Sequence, residues 1–87
     1  MNALGIYILQ LAKRGYKIEI SYIAVANIIN EADTVNAELG GFYDITIRKK
    51  MRKTRISVQE IKGIDIGDRL MFEITRAIAR MEAKYGE

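Results

Sequence analysis

Apolar and polar residues alternate on both sides of one dense basic run, "IRKKMRKTRI", and this alternation constrains the fold more than any other feature. Residues 42–47 alternate into the run, and residues 55–59 alternate out of it. A period of two is typical of strands that are buried on one face. The two segments therefore predict a β-hairpin with the basic residues in its distal half. The connection is expected near residues 51–53, which hold no Asn-Gly or Asp-Gly pair, so the turn type and the register stay open.

The beginning of the chain predicts a helix followed by a strand. One face of a helix over residues 3–14 would carry the apolar side chains of Leu4, Tyr7, Ile8 and Leu11. Gly15 follows as a C-terminal stop. Ile6 and Leu9 lie outside that face, and a helix that is apolar on more than one side is either central to the fold or half of an interface. Residues 16–22 alternate again and predict a half-buried strand.

Two further segments have helical spacing. Residues 21–39 are rich in alanine and form a helix if Ser21 serves as the N-cap, although a longer strand is the alternative, since short apolar runs cannot be distinguished by period alone. Residues 69–85 predict a long final helix with Asp68 as its cap. Its apolar stripe would consist of Leu70, Ile74, Ala77, Ile78 and Met81.

These elements predict a single α+β domain over residues 1–87, in which a small antiparallel sheet with a basic β-hairpin packs against about three helices in the order α-β-α-β-β-α. The chain has no cysteine and no histidine, which excludes disulfides, thiolate or imidazole metal ligands and histidine-based catalysis. It has no apolar run of membrane-spanning length, and the cytoplasm is the expected location. With no phosphate loop and no nucleophile beside a base, we expect a non-enzymatic protein without a cofactor or metal.

The basic run is the main functional signal. Six of the eight residues from 48 to 55 are basic, while the whole chain has a formal net charge of only +3. A two-stranded ribbon can enter a nucleic-acid groove and neutralise phosphates. We therefore predict that DNA or RNA binds at Arg48, Lys49, Lys50, Arg52, Lys53 and Arg55. In the alternative interpretation, the charges only keep a hairpin end from aggregating. An acidic protein surface, such as residues 19–44 of a second copy, would attract the same cluster.

Other candidate groups are weaker. A secondary basic face on the last helix would consist of Arg69, Arg76, Arg80 and Lys84, with Glu73 among them at salt-bridge spacing. It bears on binding only if the fold places it beside the hairpin. A base-stacking platform would come from Tyr7, Tyr16, Tyr22, Phe42 and Tyr43, although their apolar phases favour the core. The acids Glu60, Asp65 and Asp68 match no calcium-binding loop.

The order helix, strand, "SYIAVANIINEADTVNAEL" and basic hairpin resembles a winged helix-turn-helix over residues 3–62. The resemblance implies DNA binding, with residues 21–30 as the positioning helix, the hairpin as the wing and the final helix as a dimerisation element. The sequence departs from that pattern at residues 35–39, which are short for a recognition helix and carry Glu38 but no Arg or Lys. In size, composition and element order, the chain is also similar to small phage-encoded inhibitors, such as some anti-CRISPR proteins.

Three classes of function follow. The leading prediction is a nucleic-acid-binding protein, regulatory in kind and homodimeric through Ile6 and Leu9 of the first helix. One alternative is an inhibitor or adaptor of phage or mobile-element type that docks on another protein. The other is an oligomeric structural or assembly protein whose basic hairpin meets the acidic segment of a neighbour.

Overall fold

The computed structural model describes residues 2–24 and 39–85. The elements in chain order are α1 (Ala3–Lys13), β1 (Lys17–Ile23), β2 (Leu39–Lys49), β3 (Arg52–Ile61) and α2 (Ile66–Tyr85). The three strands form one antiparallel sheet in the order β1-β2-β3. The α+β class is confirmed, whereas the described residues contain two helices instead of about three.

The β-hairpin of β2 and β3 is present, with a turn earlier than the sequence suggested. Lys49 pairs with Arg52, so the turn consists of Lys50 and Met51 alone. Lys50 has a positive φ of 56°. A positive φ at the first central residue is the pattern of a type II′ turn, which usually has glycine there. The missing glycine explains why the turn was hard to place from the sequence.

The first helix is bounded by a cap at each end. Asn2 Oδ1 accepts a hydrogen bond from Gly5 N at 2.7 Å, which satisfies a free amide of the first turn. At the other end, Gly15 has a φ of 94°. Gly15 N donates to Ala12 O, and Tyr16 N donates to Leu11 O, both at 3.0 Å. These two bonds form a Schellman motif, which ends the helix and turns the chain into β1.

Residues 21–23 are strand, as the predicted strand over residues 16–22 and the longer-strand alternative required, and the predicted helix from Ser21 is wrong there. Residues 21–23 belong to β1 and pair with residues 42–44 of β2. The Tyr22 and Tyr43 rings lie 4.9 Å apart across the two strands. Such cross-strand aromatic pairs stabilise a sheet, and this long-range contact outweighs the local helical spacing. The proposed positioning helix therefore begins with strand, and the remainder of that prediction, residues 25–38, lies outside the described residues.

The second helix begins three residues before the predicted start, and its cap is Asp65 rather than Asp68. Asp65 Oδ1 accepts hydrogen bonds from Gly67 N at 2.9 Å and from Asp68 N at 3.3 Å. Asp68 instead lies in the first turn. Its charge there is favourable because the amino end of a helix carries partial positive charge.

The core lies between the two helices and one face of the sheet. Ile45 and Ile47 of β2 and Ile74 of α2 are completely buried. The predicted apolar stripe of α2 is buried in full. Leu11 of α1 and Tyr16 join the same cluster. The alternation of β2 turns Asp44, Thr46 and Arg48 to the opposite face of the sheet, which we call the outer face.

The two helices run side by side in the same direction. Near the middle of the two helices, the hydroxyls of Tyr7 and Thr75 form a hydrogen bond with each other. Further along, Arg14 Nη2 lies 3.8 Å from Glu82 Oε1. Both helices therefore end near the same part of the sheet. This part is the hairpin turn, because Lys49 lies against the Tyr16 ring and Arg52 lies against the Tyr85 ring.

Candidate nucleic-acid interface

The strand register divides the six hairpin cations between the two faces of the sheet. Arg48, Lys53 and Arg55 lie on the outer face, because they alternate with the buried isoleucines. Lys49 and Arg52 lie on the helix side, and Lys50 is in the turn. The six cations, which were predicted as a single patch, therefore form two groups, one on each face of the sheet at the end of the hairpin.

One row of cations crosses all three strands on the outer face. Lys17 of β1 is paired with Arg48 of β2, which is paired with Lys53 of β3. Directly opposite residues of antiparallel strands have side chains on the same face, with Cβ atoms about 5 Å apart. The register thus adds Lys17, which is far from the basic run in the sequence, to the same surface.

Two of the outer-face cations are engaged in ion pairs. Arg48 Nε lies 3.6 Å from Glu19 Oε1. Arg55 donates from Nε to Asp44 Oδ1 at 2.9 Å and from Nη2 to Asp44 Oδ2 at 2.6 Å. This bidentate hydrogen bonding lowers the pKa of Asp44 and raises the pKa of Arg55. Lys17 and Lys53, in contrast, make no ion pair within residues 2–24 and 39–85.

Cation–π contacts attach the helix-side cations to the ends of both helices. Lys49 Nζ lies 4.7 Å from the centroid of the Tyr16 ring, and the Arg14 guanidinium lies 5.5 Å from the same centroid. The Arg52 guanidinium lies 5.4 Å from the centroid of Tyr85. Distances below about 6 Å allow the ring face to attract the cation. The hairpin tip is therefore held between the last turns of α1 and α2.

The side chain of Glu82 stabilises the contact between the hairpin tip and the ends of the two helices. The hydroxyl of Tyr16, a residue with only 3% of its surface exposed, donates to Glu82 Oε1. Glu82 also faces Arg14. Its carboxylate is thus bound within the fold.

Because the hairpin tip and the ends of both helices lie together, positive charge is concentrated at one end of the molecule, which we call the basic end. It gathers ten of the fourteen lysines and arginines: Lys13, Arg14, Lys17, Arg48, Lys49, Lys50, Arg52, Lys53, Arg80 and Lys84. Among the described residues, its acids are Glu19 and Glu82, and both face an arginine. The sequence run identified half of these cations, because the others come from elements that only the fold brings together.

The predicted secondary basic face is split by the fold. Arg80 and Lys84 lie beside the hairpin, where they line a cavity of about 100 Å³ together with Lys53, Thr54, Met81 and Tyr85. Arg69 does not reach it, since its Nε donates to Gln59 O at 3.0 Å. Arg76 lies 3.4 Å from Glu73 and 5.6 Å from the centroid of Phe72.

The predicted aromatic platform does not form at the basic end. Tyr16 is buried, while Tyr7 and Tyr43 pack against the core. Burial and the nearby Glu60 carboxylate raise the pKa of Tyr43. Tyr22 is half exposed, but it lies at the far end of the sheet beside Glu60. The exposed aromatic side chain at the basic end is Tyr85, the last residue of α2, which is 44% exposed and which the sequence analysis did not single out.

Within the described part of the chain, no three acidic side chains converge as a candidate cation site. Asp65, one of the three acids considered, caps α2. Neither α1 nor α2, the helices of the described residues, is both long and apolar enough to cross a membrane.

Comparison with known proteins found no matching family model, no matching curated protein and no matching solved structure.

Proposed function

We propose that this protein is a non-enzymatic nucleic-acid-binding protein that contacts the phosphate backbone through the basic end. The observation that supports the proposal is the convergence of cations from α1, β1, the hairpin and α2 on one region. Lysines and arginines that neutralise phosphates release condensed counterions, which drives binding and makes it weaken as salt rises.

The competing interpretation is that these charges only protect the sheet from aggregation. Edge protection needs cations on the edge strands. It does not account for Arg80 or Lys84, which belong to a helix. Arg80 and Lys84 could instead serve to balance the partial negative charge at the carboxyl end of α2. That role would not explain Lys17, Lys50 and Lys53. Like charges at this density also repel one another, and a bound polyanion relieves that repulsion.

The proposal is tested by fluorescence anisotropy with labelled duplex DNA, single-stranded DNA and RNA over a series of salt concentrations. The test variant is the double substitution Lys50→Gln and Lys53→Gln, because both side chains are exposed and form no ion pair within the described residues. Each lost phosphate contact should reduce the slope of log affinity against log salt by about 0.9 on duplex DNA or about 0.7 on a single strand.

A matched control removes the same net charge elsewhere. The double substitution Lys62→Gln and Arg76→Gln changes two exposed cations that lie outside the basic end. We expect the salt slope of this control to stay at the wild-type value. An equal reduction of the salt slope in both variants would show that only the net charge of the protein matters. A wild type that binds none of the three nucleic acids at low salt would refute the proposal.

A second surface favours a protein partner. The outer side of the two helices exposes Ile6, Leu9 and Phe72, whose exposed fractions are 46%, 50% and 60%. Large apolar side chains on the exposed sides of helices are typical of interfaces when they form one patch. We propose that a second copy of the chain covers them, as the homodimer prediction requires. The inhibitor, adaptor and assembly alternatives would use the same residues to dock on a different protein.

A further inference from the structure

The cavity between β3 and α2 has the charge and size for one phosphate group. Arg80 and Lys84 approach from the last turns of α2, and Lys53, whose side chain lies on the outer face of the edge strand β3, borders the cavity. Thr54 adds a hydroxyl that can donate a hydrogen bond. The volume of about 100 Å³ equals that of roughly three water molecules, each of which occupies about 30 Å³ in the liquid. That space is large enough for a single phosphate.

An exposed aromatic ring borders the same cavity. Tyr85 lines it and has 44% of its surface exposed. The Arg52 guanidinium and Lys84 Nζ lie 5.4 and 5.7 Å from its centroid. A phosphate held by cations with an aromatic ring beside it is the pairing that single-strand binders use, in which the backbone follows charge and the base stacks on the ring.

An aromatic ring that stacks on bases distinguishes single strands from duplexes for a geometric reason. Bases in a duplex are stacked on one another and present only their edges in the grooves. A base can stack on the Tyr85 ring only if it has left its own stack, as bases in single strands and loops can do.

We infer, resting on the proposed function, that the basic end binds single-stranded nucleic acid in preference to duplex. One backbone phosphate lies in the cavity lined by Lys53, Arg80 and Lys84, and the adjoining unpaired base stacks on Tyr85.

The experiment measures the affinity of the full chain for labelled oligo-dT, oligo-U and a duplex of equal length at one fixed salt concentration. Tyr85→Leu removes the aromatic face while keeping an apolar side chain against Met81, and Tyr85→Phe keeps the ring. Tyr22→Leu is the matched control, since Tyr22 is similarly exposed at the far end of the sheet. Circular dichroism of each variant checks that the fold is retained.

Tyr85→Leu should weaken single-strand binding by about 5- to 140-fold, the loss expected for one stacked base. Tyr85→Phe and Tyr22→Leu should stay within about twofold of the wild type, and duplex affinity should change by less than about twofold in every variant. When the single-strand titration is repeated over a series of salt concentrations, Arg80→Gln should reduce the slope of log affinity against log salt by about 0.7.

Two results would overturn the inference and are distinguishable from failure of the proposed function. Duplex binding as tight as single-strand binding, or a single-strand affinity unaffected by Tyr85→Leu, would refute it while leaving nucleic-acid binding in place. A wild type that binds no nucleic acid would refute both.

Discussion

At the scale of single residues, Lys50 adopts the least favourable backbone conformation of the hairpin. A left-handed φ costs a residue with a Cβ about 1–2 kcal/mol relative to its ordinary conformations, whereas glycine adopts it freely. Lys50 has a φ of 56° in a turn of two residues. The sequence retains a cation where glycine would fold better, which is consistent with a use for the charge.

Lys50→Gly should therefore raise the free energy of unfolding by about 0.5–1 kcal/mol, after allowance for the greater freedom of glycine in the unfolded chain. Urea denaturation measures the change. Lys50→Ala is the control, because it removes the charge but keeps the Cβ, and its stability should remain near that of the wild type. A loss of stability in Lys50→Gly would contradict the assignment of strain to this residue.

The pair formed by Asp44 and Arg55 should make stability depend on pH. Hydrogen bonding from Arg55 lowers the folded-state pKa of Asp44 below its ordinary value of 3.8. The stability that the pair contributes is therefore fully present above the unfolded-state pKa and is lost as the pH falls through the folded-state pKa.

Asp44→Asn should accordingly lower the thermal unfolding midpoint at pH 7, and the difference from wild type should shrink as the pH falls below about 4. Thermal unfolding followed by circular dichroism over the acid range measures both. Arg55→Gln serves as the partner variant and should show the same pH dependence. A difference that stays constant from pH 7 into the acid range would count against the pair.

At the scale of elements, the spacing of apolar residues along the sequence predicted the helices and strands well, but it predicted the residues at which they begin and end less accurately. The stripe of α2 and the Gly15 stop of α1 follow from spacing and from glycine chemistry, both of which are local. The start of α2 was misplaced because Asp65 and Asp68 are equally suitable caps by sequence. Ser21 was predicted both as part of a strand and as the cap of a helix, and the strand is correct because its partner strand stabilises it, which local spacing does not report.

The cap of α2 provides a direct test at this scale. Asp65→Ala should cost about 1 kcal/mol of unfolding free energy, because its carboxylate is the N-cap acceptor. Asp68→Ala should cost less, about 0.3–0.5 kcal/mol, since only its charge in the first turn is lost. Chemical denaturation of the two variants in parallel measures the order. The reverse order would place the cap at Asp68.

At the scale of the whole molecule, parallel helices give the protein its charge distribution. Both helices end beside the hairpin turn, so the cations of their last turns add to those of the tip. Both helices also turn apolar residues away from the core, which leaves one surface for charge and another for an apolar contact.

The apolar surface predicts the state of association. Wild-type protein at micromolar concentration should sediment as a dimer, and the double substitution Leu9→Lys and Phe72→Lys should sediment as a monomer, because each charge would have to be buried at the interface. Ile64→Lys is the control, since Ile64 is just as exposed in the turn before α2. A monomeric wild type would refute the dimer.

The sequence by itself determined the strands of the hairpin, the apolar stripe of α2, the first helix and the basic run, because each depends on residues close together in the chain. Only the tertiary structure decided that Lys17 and Arg80 join the run, that Arg55 is engaged by Asp44 and that Tyr85 lies beside the cavity. Those facts depend on strand register and on the direction of the helices. Contacts such as that between Tyr7 and Thr75, which are 68 positions apart, help to set that direction, and no local pattern encodes such a contact.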